Sequence, residues 1–195
     1  HARESWRARE PTYLSGMRGE TDREKLGRFM KELGARVQSD GTIYLTGGAT
    51  ALLFGWRDTT IDIDIKADPE PRGLFEAIAT LKEQLDVNVE LASPDQFVPA
   101  APGWRGRSLF IARHGSVTFR HFDPYTQALA KLQRGHDRDV RDVREMLRAG
   151  LITARDLARS FDEIEPQLIR FPAVDAGIFR AAVLTFCRDA AGEPT

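Results

Sequence analysis

The segment that most constrains the fold of this chain is residues 42–66, Thr-Ile-Tyr-Leu-Thr-Gly-Gly-Ala-Thr-Ala-Leu-Leu-Phe-Gly-Trp-Arg-Asp-Thr-Thr-Ile-Asp-Ile-Asp-Ile-Lys. An alternating apolar run leads into Gly47-Gly48, a short apolar stretch suited to a helix follows, and a second alternating run covers residues 61–65. Residues i and i+2 of a β-strand lie on the same face. The pattern therefore predicts a strand with Asp62 and Asp64 on one face and, in the core, Ile61, Ile63 and Ile65.

Asp62 and Asp64 have a spacing that suits a cation site. Their carboxylates are predicted about 7 Å apart along the strand, and they repel each other unless a cation lies between them. Hard oxygen ligands in this arrangement suit Mg²⁺, which takes one or two carboxylates together with substrate phosphates. The alternative is that both aspartates form the solvated face of an edge strand.

A third carboxylate is predicted on the next strand. Residues 87–91 alternate in the same way, with Asn88 and Glu90 on the polar face. If this strand pairs with the second one, Glu90 lies beside the two aspartates, and three carboxylates can hold two metal ions. An exposed glutamate is the alternative, with Asp95 as the substitute third acid.

The Gly47-Gly48 pair lies where a strand gives way to a helix. Glycines there allow a positive φ and a close approach of the backbone to a ligand. The N–H groups of such a turn and of the following helix N-terminus can bind phosphate oxygens. A plain tight turn is the alternative.

A second group of charged residues comprises Lys131, Arg138, Asp139 and Asp142. On one continuous helix, offsets of 7 and 11 residues bring Arg138 and Asp142 back to within about 20° of Lys131. A lysine in this position offers a point charge to a triphosphate, and Asp142 can orient it. A surface ladder of ion pairs is the alternative, and Gly135 is a candidate break in the helix.

The remaining chemically active residues give weaker signals. Trp104 with Arg105 and Arg107 fits either base stacking with phosphate contacts or the anchoring of its own loop. Cys187 is predicted to pack in an apolar helix. Three histidines have no zinc-like spacing and are predicted at the surface or in a hairpin: His114, His121 and His136.

The order of predicted elements is a helix, a mixed half with about five strands, and a helical C-terminal half, which is an α+β architecture. Strands are predicted over residues 42–46, 61–65, 87–91, 109–112 and 117–122. Helices are predicted over residues 21–37, 49–54, 72–85, 125–134, 137–147, 154–163 and 175–189.

The predicted organisation has three parts: a flexible N-terminal extension over residues 1–20, a core over 21–122 and a helical part over 123–195. The chain has 195 residues, a formal net charge of −1 and one cysteine. That charge argues against a bulk electrostatic DNA binder. The lone cysteine, with no visible secretory signal or membrane span, predicts a cytoplasmic protein without disulfides.

The spacing of these motifs resembles a known pattern. Gly-Gly, thirteen residues, then Asp-x-Asp, with a later lysine and Arg-Asp-x-x-Asp, is similar to nucleotidyltransferases of the polymerase-β superfamily. Within it, the chain most resembles the AbiEii-like and MenT-like toxins of bacterial toxin–antitoxin systems. The phrases TGGATALLFGWRDTTIDIDIK and ALAKLQRGHDRDVRDV carry the likeness, which extends loosely over residues 42–147.

This resemblance implies a role for each candidate residue. It implies that the nucleoside triphosphate is bound by Gly47, Gly48, Arg57, Thr60 and Lys131. It implies that Mg²⁺, with Mn²⁺ as an alternative, is held by Asp62, Asp64 and Glu90. It also implies that the residues needed for activity are Asp62, Asp64, Lys131 and Asp142.

The function expected from the resemblance is transfer of NMP from an NTP to an RNA acceptor such as a tRNA 3′ end, by a toxin with a cognate antitoxin. NMP transfer to a protein side chain, as in adenylylation, is one alternative. A non-catalytic binding module is another. A sugar-nucleotide glycosyltransferase with Asp-x-Asp is disfavoured, because this chain leaves little room for a doubly wound sheet.

Overall fold

The computed structural model describes residues 19–192; of the predicted extension over residues 1–20, only the last two residues lie within that range. The fold is α+β, as predicted, with a mixed five-stranded sheet. The strands are β1 (Gly41–Thr46), β2 (Asp62–Ala67), β3 (Asn88–Glu90), β4 (Phe110–His114) and β5 (Val117–His121). The helices are α1 (Arg23–Arg36), α2 (Gly47–Phe54), α3 (Leu74–Gln84), α4 (Trp104–Arg107), α5 (Pro124–Arg134), α6 (Asp137–Arg148), α7 (Ala154–Ile164) and α8 (Ala176–Gly192).

The sheet has the strand order β3-β2-β1-β5-β4. Strand β1 pairs antiparallel with β2 and parallel with β5, while β2 pairs parallel with β3. The hairpin of β4 and β5 completes the sheet. The two strands that carry the predicted carboxylates are therefore neighbours at one side of the sheet, as the third-acid hypothesis requires.

One face of the sheet is the apolar core of the N-terminal part. Ile63 and Ile65 of β2 are fully buried there with Leu26 and Phe29 of α1 and residues of α3. Ile61 is an exception, because β2 begins at Asp62 and leaves Ile61 52% exposed ahead of the ladder. The alternation along β2 then directs Asp62 and Asp64 to the opposite face.

Side-chain caps begin two of the helices. Asp22 accepts a hydrogen bond from the Lys25 N–H (2.8 Å) at the start of α1. Asp123 accepts from the N–H groups of Tyr125 and Thr126 (3.3 and 3.2 Å) at the start of α5, with Pro124 in the first helical position. These caps satisfy N–H groups that lack partners within the helix, and the second cap fixes where α5 meets the sheet.

A second hydrophobic cluster joins helices α5, α6, α7 and α8. Its largest fully buried side chains include Phe161 and Phe179, whose rings meet edge to face at 4.9 Å. Val98 and Ala101, from the long segment before α4, are buried in the same cluster. The loop of the N-terminal part thus packs on the helices, while the domain boundary at residue 122 stays a prediction.

Two further findings concern the lengths of the helices and the lone cysteine. No helix between residues 19 and 192 is both long and apolar enough to cross a membrane. Cys187 is half-buried, as predicted, and its thiol donates to the Ala154 carbonyl (3.3 Å).

His121 lies in the β4–β5 hairpin, which is one of its two predicted settings, but it is buried rather than at the surface. Its side chain is 6% exposed, its Nδ1 is 3.1 Å from the Thr50 hydroxyl, and its ring lies 4.6 Å from that of Phe54. Burial lowers the pKa of His121 from 6.5 to about 4. Only the pairing of β5 with β1 brings this position next to α2, so local sequence gave no signal of it.

We expect the buried His121 to make the folded chain acid-sensitive. Above pH 6.5 the imidazole is neutral in both folded and unfolded states, and between pH 6.5 and 4 only the unfolded chain gains the proton. The free energy of unfolding should therefore fall by about 3 kcal/mol from this group over that interval. Urea titrations at several pH values should show a weaker dependence for His121→Gln, whereas the exposed control His136→Gln should behave like the wild type.

Candidate active site

The predicted carboxylates meet at the polar face of β2 and β3. In the parallel ladder, Asp62 lies opposite Asn88 and Asp64 opposite Glu90. The Asn88 amide donates to Asp62 Oδ1 (2.5 Å) and to Glu90 Oε1 (3.2 Å), so it links the two strands through their acids. The pairing that the third-acid hypothesis required is present.

The electrostatics of this group centre on Asp64. Burial, followed by the neighbouring charges of Asp62 and Glu90, raises the pKa of the Asp64 carboxyl from 3.8 to about 6, and this value already includes the opposing effect of Arg134 and Lys131. A half-buried carboxylate beside two like charges favours either a proton or a bound cation. A cation bound beside Asp64 would therefore stabilise the ionised form of this carboxylate.

Asp95, the predicted substitute for Glu90, has a different role. Its carboxylate is 2.7 Å from the Lys66 Nζ and also accepts a hydrogen bond from the Ser93 hydroxyl. Its charge is already compensated, so it supports the segment before α4 rather than the acidic group.

Gly47 and Gly48 form the wall of a cleft opposite these acids. Helix α2 begins at Gly47, two residues earlier than predicted, and Gly47 has a φ of +60°. A Cβ at Gly47 would lie 2.8 Å from Asp64 Oδ2, and one at Gly48 would lie 2.1 Å from the Thr60 Oγ1. The glycines are therefore needed so that α2 can start directly beside the acid and Thr60.

The start of α2 can also accept an anion. The Gly47 N–H donates to the Gln127 Oε1 (3.1 Å), whereas Thr46 provides no side-chain cap and the first turn of the helix holds no acidic residue. Free N–H groups at a helix N-terminus favour negatively charged ligands. This end of the cleft therefore suits a phosphate group.

We expect Gly48→Ala to destabilise the protein and to damage the cleft. The new methyl group would overlap both the hydroxyl and the Cβ of Thr60, and Thr60 is fixed by a β-bridge to Thr21. Overpacking of this kind costs about 1–3 kcal/mol, which thermal denaturation should detect. Gly106→Ala is the matched control, because a Cβ at this helical glycine meets no atom within 4 Å. Equal melting temperatures for the two variants would contradict the expectation.

The structure brings most of the nine predicted site residues to one cleft, whose volume is about 190 Å³. Seven of them line it: Gly47, Gly48, Arg57, Thr60, Asp62, Asp64 and Lys131. Glu90 lies next to Asp64 in the sheet, and Asp142 lies beneath the cleft rather than in its lining. Two of the predicted residues are thus neighbours of the cleft and not part of its wall.

A buried network of charges supports the cationic side of the cleft. Lys131 Nζ is 2.6 Å from Asp142 Oδ2, and Arg57 Nε donates to Asp142 Oδ1 (3.1 Å) with a second bond through its Nη2. Lys131 also reaches Asp139 (3.4 Å), which Arg134 binds through two nitrogens (2.8 and 3.1 Å). Three cations share two carboxylates, so the network keeps an excess positive charge.

Asp139 shows how strongly these cations act. Burial alone would raise the pKa of its carboxyl, but the hydrogen bonds from Arg134 and the charge of Lys131 outweigh burial and hold that pKa below 3.8. Asp139 is therefore ionised at neutral pH. The ion pairs that Asp139 forms with Lys131 and Arg134 therefore persist at neutral pH and help to position both cations.

The chain is broken at Gly135 into the two helices predicted over residues 125–134 and 137–147, so the offsets calculated for one continuous helix do not apply. Gly135 adopts the left-handed conformation (φ +71°) and ends α5, and α6 begins at Asp137. Lys131 and Asp142 therefore meet across a turn between two packed helices. Arg138 does not lie behind Lys131 on the same helix but is exposed at the rim of the cleft.

Sequence reasoning missed two residues of the site, Gln127 and Arg134. Gln127 is buried, holds the Gly47 N–H, and donates to the Phe122 carbonyl (2.7 Å), while Arg134 lines the cleft. Both lie on α5 with Lys131 at offsets of 4 and 3 residues, which places all three on one helix face. That spacing was visible in the sequence and could have identified them.

Trp104 anchors its own loop. Its ring stacks on Phe122 at 4.7 Å and meets Tyr44 edge to face at 5.1 Å, with the Arg105 guanidinium 4.4 Å above it. Arg107 is held by Asp123 (2.8 and 2.9 Å). The anchoring alternative is favoured over base stacking, because both faces of the ring already have partners.

Paired acids facing a cationic wall across a glycine-lined cleft suit the transfer of a phosphorylated group, and this α+β fold is consistent with a small nucleotidyltransferase core. The chain belongs to the family described as a nucleotidyltransferase of unknown function (DUF6036), whose model matches residues 24–167. It is therefore an NTP-dependent nucleotidyltransferase. Comparison with curated proteins gave no match, and comparison with solved structures gave none either.

Proposed function

We propose that this enzyme transfers NMP from an NTP to an RNA acceptor, such as the 3′ end of a tRNA, with Mg²⁺ at Asp62 and Asp64. The observation that carries the proposal is the juxtaposition of these two carboxylates with the Gly47 end of α2 and with Lys131 in one cleft. That arrangement offers anionic ligands to a metal and cationic and N–H groups to a triphosphate. Both are needed for nucleotidyl transfer.

The donor set fits Mg²⁺. Asp62 and Asp64 offer hard oxygen ligands on one face of β2, and the raised pKa of Asp64 reflects negative charge that a cation would compensate. Residues 19–192 contain no cluster of three or more His, Cys, Asp or Glu that could hold a metal. A pair of carboxylates completed by substrate phosphates and water is a common mode of Mg²⁺ binding. Glu90 as a third ligand, and Mn²⁺ as an alternative ion, stay predictions.

When bound, the metal would supply charge neutralisation of the triphosphate and of the attacking oxygen. The protein groups orient the substrates around it. Lys131 and Arg134 face the phosphates, the first turn of α2 receives a phosphate oxygen, and the hydroxyl proton passes to one of the site carboxylates. The acceptor oxygen then bonds to the α-phosphorus as the bond to pyrophosphate breaks.

The proposed biological role is that of a toxin with a cognate antitoxin, acting in the cytoplasm. It rests on the resemblance to the AbiEii-like and MenT-like toxins over residues 42–147. Induced expression in bacteria tests it directly. We expect growth arrest with the wild-type chain and normal growth with Asp62→Ala; equal growth of both strains would contradict a toxin role.

One assay tests nucleotide, acceptor and site together. Purified protein is incubated with Mg²⁺, total RNA and each α-³²P-labelled NTP in turn, and RNA and protein are separated. We expect labelled RNA, and no label with Asp62→Ala or without divalent cation. Label in protein instead of RNA would contradict the RNA acceptor and support the protein-modifying alternative. Full activity of Asp62→Ala would contradict the proposed site.

A further inference from the structure

Helix α6 carries four arginines and no lysine: Arg138, Arg141, Arg144 and Arg148. All four are exposed, whereas Val143 and Met146 on the other side of the helix are buried in the second hydrophobic cluster. At 3.6 residues per turn the four arginines lie within an arc of about 120°. They form one continuous basic face, which we call the α6 face.

The charge of the α6 face is largely uncompensated. Within residues 19–192, Arg138, Arg141 and Arg144 form no ion pair, and Arg148 alone is held by a carboxylate, that of Glu145 (2.5 Å). Asp137 and Glu145 are the acidic residues of α6 on this side, and Asp189 of α8 lines a small pocket with Arg144 and Arg148 without an ion pair to either. Asp139 and Asp142 are buried in the network beneath the cleft. The helix therefore directs two carboxylates inward and most of its cations outward.

This face begins at the cleft and leads away from it. Arg138 lines the cleft together with Lys131 and Arg134. Arg148 lies about 15 Å further along the helix axis, at 1.5 Å per residue. A chain of phosphates bound along α6 would therefore have one end next to the carboxylates of β2.

We propose that the α6 face binds the single-stranded 3′ segment of the RNA acceptor and directs its terminal hydroxyl into the cleft. The inference rests on the proposed function and names the surface that this function needs. Arginine guanidinium groups bind phosphate oxygens through two parallel hydrogen bonds. A row of them matches the regularly spaced phosphates of a phosphodiester backbone better than the scattered carboxylates of an acidic protein. Because the net charge of the chain is only −1, attraction of RNA depends on such a local face.

The test compares wild-type protein with Arg141→Ala/Arg144→Ala, two α6 positions outside the cleft lining. Binding of a fluorescein-labelled single-stranded oligoribonucleotide of about 12 nucleotides, within the range that one binding domain covers, is measured by anisotropy at several salt concentrations. We expect an affinity loss of about tenfold at low salt. The slope of log K against log salt should become shallower by about 1.4, since each phosphate contact on a single strand contributes about 0.7.

Two further variants make the result specific. Arg23→Ala/Arg28→Ala removes the same charge from exposed positions of α1, on the other face of the sheet, and should leave RNA affinity unchanged. Arg141→Lys/Arg144→Lys keeps the charge without the guanidinium group, and should restore the salt slope while regaining only part of the affinity. Equal losses in the α1 and α6 alanine variants would indicate a general charge effect and overturn the proposal.

The outcomes separate this inference from the proposed function. Wild-type transfer to RNA, with α6 variants that bind the oligoribonucleotide as tightly as the wild type, overturns the α6 face and leaves the acceptor class standing. Wild-type protein that binds NTP in calorimetry but transfers NMP only to protein contradicts the RNA acceptor itself. Loss of binding to polyglutamate but not to the oligoribonucleotide, in the α6 alanine variant, would assign the face to an acidic protein and also overturn the proposal.

Discussion

Replacing Asp64 with asparagine is expected to abolish nucleotidyl transfer and to raise the free energy of unfolding of the metal-free protein. The carboxylate is half-buried next to Asp62 and Glu90, so its charge is unfavourable until a cation binds. The pKa displacement from 3.8 to about 6 corresponds to about 3 kcal/mol at neutral pH, and asparagine removes that repulsion while keeping the shape. Transfer should fall at least a hundredfold, because one of the two carboxylates that would hold Mg²⁺ beside the reacting phosphates is lost.

Two measurements on purified variants test this prediction: urea denaturation in EDTA, and transfer of α-labelled NMP. Asp58→Asn is the matched control, since Asp58 is exposed in the loop before β2. We expect the control to change neither quantity. An Asp64→Asn variant that is less stable than the wild type would show that Asp64 acts mainly as a structural hydrogen-bonding group. A variant that is more stable and inactive has the signature of a functional carboxylate.

Replacing Asp142 with asparagine should have the largest effect on stability. Asp142 is 4% exposed and accepts from both Arg57 and Lys131. Removing one partner of a buried ion pair leaves uncompensated charge and costs about 3 kcal/mol or more. Lys131 retains Asp139 at 3.4 Å, whereas Arg57 loses its carboxylate, so the cationic wall should become both less stable and less ordered.

A triphosphate can restore what this substitution removes. Bound NTP places negative charge beside Arg57 and Lys131, so the rise in melting temperature caused by NTP should be greater in Asp142→Asn than in the wild type. The transfer rate should still fall by about tenfold, because the cations are less well oriented. The exposed Asp137→Asn on the same helix is the control. If NTP raised the melting temperatures of Asp142→Asn and Asp137→Asn by the same amount, Asp142 would have no part in holding the nucleotide-binding groups.

The sequence revealed the local parts of this structure well. Alternation around residues 42–46 and 61–65, with glycines between them, predicted β1, the presence of a helix after Gly47-Gly48, and the direction of Asp62 and Asp64. The caps at Asp22 and Asp123 are equally local, since each joins a side chain to N–H groups two or three positions away. Local chemistry was enough wherever the interacting groups were close in the chain.

What depends on tertiary packing was beyond the sequence. Arg57 and Asp142 are 85 residues apart, and their contact follows from how α6 packs beside the loop after α2. The burial of His121 likewise follows from the pairing of β5 with β1. The proximity of Lys131 and Asp142 was argued from offsets on a continuous helix, whereas the structure brings the two side chains together across the turn at Gly135 between α5 and α6.

The position of Asp142 has a consequence for how the enzyme can be controlled. Its carboxylate belongs to a helix of the second hydrophobic cluster, yet it fixes a cation from the loop that leads into β2. An inhibitor therefore need not enter the cleft or resemble a nucleotide. A protein that bound α6 and displaced it by a few ångströms would separate Asp142 from both Arg57 and Lys131. It would thereby inhibit the enzyme without occupying the cleft.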